Sequence, residues 1–147
     1  NTFSVVASGK RVDLCYDISP ELPAYICGDA LRLRQVIINL VSNAIKFTDS
    51  GAITIKVYSG DDRKMICIDV KDTGAGITED QLDKVFDPYY TTKNKGTGLG
   101  LAIVQKIVEA HGGDTMVRST SNNGTAFSIS IPCRHEEKVG GHNDDTQ

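Results

Sequence analysis

The chain has 147 residues, of which 39% are hydrophobic and 24% charged, with a formal net charge of −3. That is enough sequence for one globular domain with a real core and no disulfide staples. The weak negative charge argues against a general nucleic-acid binder, and no apolar run approaches the roughly 20 residues that a membrane-spanning helix needs. No signal peptide opens the chain, and Asn1 stands where an initiator Met would, so the sequence reads as a piece of a longer protein. Cys15, Cys27, Cys67 and Cys133 are widely spaced with no CxxC pair, the pattern of core thiols in a reducing compartment.

In chain order, Val12 to Ile18 alternates polar and apolar residues, as a half-buried strand does. Pro20 and Pro23 break the chain, and Gly28-Asp29 leads into a helical pattern that runs to about Phe47. Asp49-Ser50-Gly51 is a turn. Ala52 to Tyr58 and Lys64 to Val70 read as a hairpin around Ser59-Gly60-Asp61-Asp62. Thr78 to Val85 reads as a short helix with Thr78 as its N-cap. Tyr89 to Gly98 is a polar, Lys- and Gly-containing loop. Leu99 to Ala110 is helical and stops at Gly112-Gly113. Thr115 to Ser119 and Ala126 to Ile131 form a last strand pair around Asn122-Asn123-Gly124. Residues 1–132 are expected to fold as one domain, and the charged, Gly-rich stretch 133–147 to be a disordered tail or linker.

On the long helix, Asn39, Asn43 and Lys46 fall within about 60° of one another, and Arg32, Gln35 and Ser42 widen that polar stripe. Leu33, Val36, Ile37, Leu40, Ala44 and Phe47 fall on the core side. A polar stripe is usually a solvated face, but a solvated face is normally filled with Glu, Lys and Gln. Asn is a poorer helix former because its side chain competes for the backbone. Two Asn one turn apart suggest that their amide oxygens are needed. Such an oxygen suits Mg²⁺ already bound to phosphate, and Lys46 could neutralise phosphate charge.

Two glycine-rich segments follow. Asp72-Thr73-Gly74-Ala75-Gly76-Ile77 comes directly after a strand, where glycines permit positive φ or close approach of a ligand. Asp72 could accept a hydrogen bond from an amino group such as adenine N6; the plainer reading is a strand-to-helix turn. Gly96-Thr97-Gly98-Leu99-Gly100 opens a helix, whose N-terminal N–H groups form an anion site. Lys93 and Lys95 supply positive charge before it. It is neither a Walker A loop nor a Rossmann fingerprint, because no Gly-Lys-Ser/Thr follows and no βαβ unit surrounds it.

Taken in order, these motifs resemble the catalytic, ATP-binding domain of sensor histidine kinases, in the Bergerat-fold (GHKL) ATPase superfamily. Asp29 to Thr48 resembles the N-box, Asp72 to Ile77 the G1-box, Val85 to Lys93 the F-box and Gly96 to Val104 the G2-box, and the likeness covers about residues 12 to 132. The resemblance implies an α+β, two-layer sandwich: a mixed, mostly antiparallel sheet covered on one face by helices. It implies ATP or ADP with Mg²⁺ as cofactors. Asn43 would ligate Mg²⁺, with Asn39 beside it, Lys46 on phosphate and Phe47 near the base. Asp72 would read the adenine amino group, with Gly74, Gly76 and Ile77 shaping the pocket and Thr125 near the adenine. Thr92, Lys93, Gly96, Thr97, Gly98, Leu99, Gly100 and Leu101 would belong to the lid and phosphate side.

Hydrolytic members of the superfamily carry Glu at the position matching Asn39. An amide does not usefully accept a proton, so Asn39 favours phosphoryl transfer over activation of water. Catalysis would then be positioning plus electrostatic stabilisation, with Asn39, Asn43 and Lys46 as its residues. None of His111, His135 and His142 lies in the His-Glu-rich helix that the family uses as phosphoacceptor. His111 reads as a dipole-favoured C-cap, and a metal site from His135, Glu136, Glu137 and His142 is not favoured. The acceptor is expected on a dimerisation (histidine-phosphotransfer) domain before Asn1, with a response-regulator receiver domain as the next partner. The fragment is expected to be monomeric and cytoplasmic, part of a sensor protein. Two other readings stay open: a nucleotide-sensing module without phosphotransfer, and a hydrolytic or serine-directed relative of the same fold.

Overall fold

The computed structural model describes residues 2–7, 10–60, 63–88, 99–120 and 122–133. Among these residues six strands form one sheet: β1 (Thr2–Ala7), β2 (Lys10–Ile18), β3 (Ser50–Ser59), β4 (Met65–Asp72), β5 (Asp114–Ser119) and β6 (Thr125–Pro132), in spatial order β1-β2-β3-β4-β6-β5. The helices are α1 (Ala30–Phe47), the one-turn α2 (Glu79–Leu82) and α3 (Gly100–Ala110). Only the β2–β3 pair is parallel; the other neighbours are antiparallel. Parallel neighbours need a long crossover, and residues 19–49, which carry α1, provide it. The expected mixed, mostly antiparallel sheet under helices is therefore the observed one.

Sequence periodicity explains the layers. Residues of β6 alternate buried and half-buried along its length, so Phe127, Ile129 and Ile131 all face one side. On that side they meet Val36, Leu40 and Ala44 of α1 and Val104, Ile107 and Val108 of α3, with Ile53 and Val70 beneath. Leu40 is 1% exposed, and truncating such a residue to Ala costs about 2–5 kcal/mol. The opposite sheet face is polar. There Lys56 Nζ lies 5.3 Å from the centre of the Tyr58 ring. Burial, then the neighbouring Asp69 and Cys67, raise the Tyr58 hydroxyl pKa above its ordinary value. Among the described residues no helix is long and apolar enough to cross a membrane.

Four local features differ from the sequence reading or add to it. The first is β1, which pairs with β2 from Thr2↔Cys15 to Ala7↔Lys10. A six-residue run has little strand stability of its own, and this one forms because β2 offers it an edge. The second is the helix expected over Thr78 to Val85, which spans only Glu79–Leu82. The Thr78 side chain makes no cap bond; its carbonyl accepts from Gln81 and Leu82 N–H at 3.0 and 3.1 Å. Val85 is drawn into the core, and Phe86 meets Phe127 edge-on with ring centres 6.2 Å apart.

The third concerns His111. It is the C-cap of α3, as expected, with Nδ1 2.8 Å from Ile107 O, and its Nε2 also accepts a hydrogen bond from Asp29 N–H at 3.0 Å. Backbone closes the same helix end: Gly113 N–H bonds Val108 O and Gly112 N–H bonds Glu109 O, a Schellman pattern. The fourth is Cys133, which follows β6, is 8% exposed and donates its N–H to Lys64 O at 2.6 Å.

Candidate functional site

The end of α1 meets the loop after β4, which meets the start of β6, and the start of α3 meets the middle of α1. Asp29 starts α1 by accepting Arg32 N–H on Oδ1 at 3.2 Å. From there Asn39 and Asn43 come up partly buried, flanking the core stripe, while Lys46 is exposed on the last turn. Asn39 Nδ2 donates to Gly100 O at 3.4 Å, which joins the middle of α1 to the first residue of α3. With Nδ2 turned there, the amide presents Oδ1 to a donor or a cation. Lys46 O accepts from Lys10 Nζ at 3.0 Å, and Lys10 also pairs with Asp49 at 3.2 Å.

Asp72 closes β4 and is 2% exposed. Its Oδ1 accepts from Gly74 N–H at 2.9 Å and Thr125 N–H at 3.3 Å. Burial raises its pKa above the usual carboxylate value; the two N–H bonds act in the opposite direction and do not cancel that effect. Both bonds use Oδ1, so Oδ2 remains for a further donor. The two glycines after Asp72 serve different needs. A Cβ at Gly74 would overlap the carbonyl oxygen of Phe47, so only glycine lets this loop pass under the end of α1. Gly76 has φ of 77°, a backbone conformation that other residues rarely adopt.

Ser119 was not singled out from sequence, yet it holds this loop in place. Its Oγ accepts Ile77 N–H at 2.6 Å, donates to Gly124 O at 2.9 Å and lies 2.9 Å from Thr125 Oγ1. A hydroxyl has one proton, so with Gly124 as its acceptor the Thr125 hydroxyl must donate to Ser119. Asn122 N–H adds a bond to Ala75 O at 2.7 Å. The available signal was the strand pairing, which sets Ser119 opposite Thr125. Thr125 itself is 5% exposed.

At the start of α3, Leu99 is the N-cap and makes no side-chain cap bond. The first N–H groups of the helix therefore have no side-chain acceptor from the cap. Among the described residues, a Cβ at Gly100 would meet nothing within 4 Å. Leu101 packs against the core. Thr92, Lys93, Lys95, Gly96, Thr97 and Gly98 lie outside the described residues, as do His135 and His142. Thus the structure brings Asn39 to Gly100, and Phe47, Gly74, Asp72 and Thr125 to one another. No cluster of His, Cys, Asp and Glu suited to a metal ion occurs among the described residues. A cation here would rely on amide oxygens and on its ligand's own charges.

The family described as histidine kinase-, DNA gyrase B- and HSP90-like ATPase matches residues 28–135. The chain belongs to that family, and within it is the catalytic domain of the sensor histidine kinases. It is similar to the autoinducer 2 sensor kinase/phosphatase LuxQ of Vibrio parahaemolyticus serotype O3:K6, at 35% identity over 95% of this chain and 17% of the relative. Sporulation kinase E of Bacillus subtilis is 40% identical over 87% of this chain, again 17% of the relative. This chain thus spans less than a fifth of those proteins. Among solved structures, the nucleotide-free catalytic domain of histidine kinase ThkA superposes with a TM-score of 0.73 at 37% identity, covering 83% of this chain and 79% of that one. Full-length ShkA in complex with AMPPNP gives a TM-score of 0.75 at 30% identity, covering 84% of this chain and 26% of that one.

Proposed function

We propose that this domain binds Mg-ATP between α1, the Asp72–Ile77 loop and the start of α3, and donates the γ-phosphate to a histidine on a separate dimerisation domain of its parent protein. A response-regulator receiver domain would then take the phosphate, as in two-component signalling, with the domain on the cytoplasmic side. In this reading Asp72 Oδ2 accepts the adenine amino group beside Thr125, and Phe47, Gly74, Gly76 and Ile77 shape the base pocket. Asn43 ligates Mg²⁺ with Asn39 beside it, and the ion supplies charge neutralisation on the phosphates. Lys46, the N–H groups at Leu99–Leu101 and the segment that carries Thr92, Lys93, Gly96, Thr97 and Gly98 serve the phosphates. The AMPPNP bound by ShkA supports a nucleotide as the ligand.

The observation that carries transfer over hydrolysis is the identity and setting of residue 39. Asn39 sits beside the start of α3 with its amide nitrogen committed to Gly100. An amide there can orient groups but cannot take a proton from water. The deciding experiment mixes this fragment with the parent's dimerisation domain and γ-labelled ATP. Label on that domain's histidine, with negligible phosphate release by the fragment alone, is expected. ATP turnover by the fragment alone, lost in Asn39→Ala, would instead make this a hydrolase.

A further inference from the structure

We propose that His111 is a positioning residue: a neutral imidazole strut that fixes the far ends of α1 and α3 and so sets the opening between them at the Asn39–Gly100 end. The two helices run in opposite directions, and among the described residues a polar tie is found at each end of their contact. At one end Asn39 Nδ2 reaches Gly100 O. At the other, His111 Nε2 accepts from Asp29 N–H at 3.0 Å while its Nδ1 lies 2.8 Å from Ile107 O. Because Nε2 accepts, Nδ1 must carry the proton and donate to Ile107. Asp29 is the N-cap of α1, so the ring is clamped to the first backbone of one helix and the last turn of the other.

Gly28 makes the approach feasible. A Cβ there would lie 3.2 Å from ring atoms Cδ2 and Nε2 and 3.0 Å from Leu33 Cδ1. A cavity of about 480 Å³ adjoins the strut, and Asp29, Arg32 and Lys106 bound it with His111. Cys27 lines a second, smaller cavity with His111. Protonation would place a second N–H opposite the Asp29 N–H, so the tie belongs to the neutral ring.

The test uses the 147-residue domain with His111→Gln, which keeps a donor and an acceptor but does not titrate, His111→Leu, which keeps neither, and Gly28→Ala, which displaces an unaltered ring. Imidazole ¹⁵N NMR should show the Nδ1–H tautomer. Amide exchange at Asp29 should be about five-fold faster in His111→Leu, the size of one neutral hydrogen bond, and restored in His111→Gln. The side-chain amide resonance of Asn39 should move in His111→Leu and Gly28→Ala but not in His111→Gln. An Nε2–H tautomer, equal Asp29 exchange in all variants, or an unmoved Asn39 signal in His111→Leu would overturn the strut. Resting on the nucleotide reading of the cleft, a further readout is ATP affinity. It should be lower in His111→Leu than in wild type and restored in His111→Gln; equal affinity in all three would overturn the strut's hold on the opening. Failure of wild type to bind ATP at any pH would refute the nucleotide site and leave the three nucleotide-free readouts to decide the strut.

Discussion

Replacing Asp72 by Asn isolates what its second carboxylate oxygen does. Oδ1 already accepts Gly74 and Thr125 N–H at 2.9 and 3.3 Å. An isosteric amide can keep Oδ1 in that place and so spare the loop. The change falls on Oδ2, which becomes an NH₂ facing the amino group it should accept. Loss of a hydrogen bond to a charged group is worth about 1.5–3 kcal/mol, or about 10- to 150-fold in Kd. The assay is ATP titration by calorimetry, with thermal unfolding of both proteins at several pH values. The pH dependence has a definite sign. Burial raises the folded pKa above the ordinary 3.8, so the folded state holds the proton more tightly than the unfolded chain. Stability from this group is therefore present below that ordinary value and lost as pH rises through the raised one. Asp72→Asn removes this slope and leaves the variant at least as stable as wild type near neutral pH. Unchanged ATP affinity in Asp72→Asn would refute the reasoning, and so would a loss of affinity explained entirely by a fall in Tm.

Asn43→Ala should weaken ATP binding about 10- to 100-fold with Mg²⁺ present and little in EDTA, measured as paired titrations. Ser119→Ala leaves Ile77 N–H without its acceptor and Thr125 without its partner; about 1–3 kcal/mol should be lost in urea unfolding, together with ATP affinity. Gly74→Ala drives a methyl against the Phe47 carbonyl. It should cost about 1–3 kcal/mol, read as a lower urea midpoint with an unchanged slope.

Much of the fold was legible because it rests on period. The apolar spacing Val36-Leu40-Ala44 is written within one element and appears buried on the expected side, and the alternation along β6 is likewise local. Asp29 as helix start and Gly112-Gly113 as helix stop were also local, since a cap bonds within a few residues of itself. The motif residues were legible for the same reason: Asp72, Gly74 and Gly76 stand together in one loop. The structure adds distinct causes for the two glycines, steric for Gly74 and dihedral for Gly76.

What the sequence could not determine depends on partners distant in the chain. β1 exists because β2 offers it hydrogen bonds, and the helix after Thr78 is cut short because Phe86 is drawn to Phe127. Ser119 reaches the Ile77 N–H 42 residues away only once β5 and β6 are paired beside β4. His111 is the C-cap of α3 that the sequence suggested, but its bond to the Asp29 N–H spans 82 residues and could not be read from residue order. Chemical character and periodicity therefore named the elements of this domain, and the resemblance named its family motifs. Which donor meets which acceptor was decided by tertiary packing, because a hydrogen bond depends on positions in space that residue order alone does not specify.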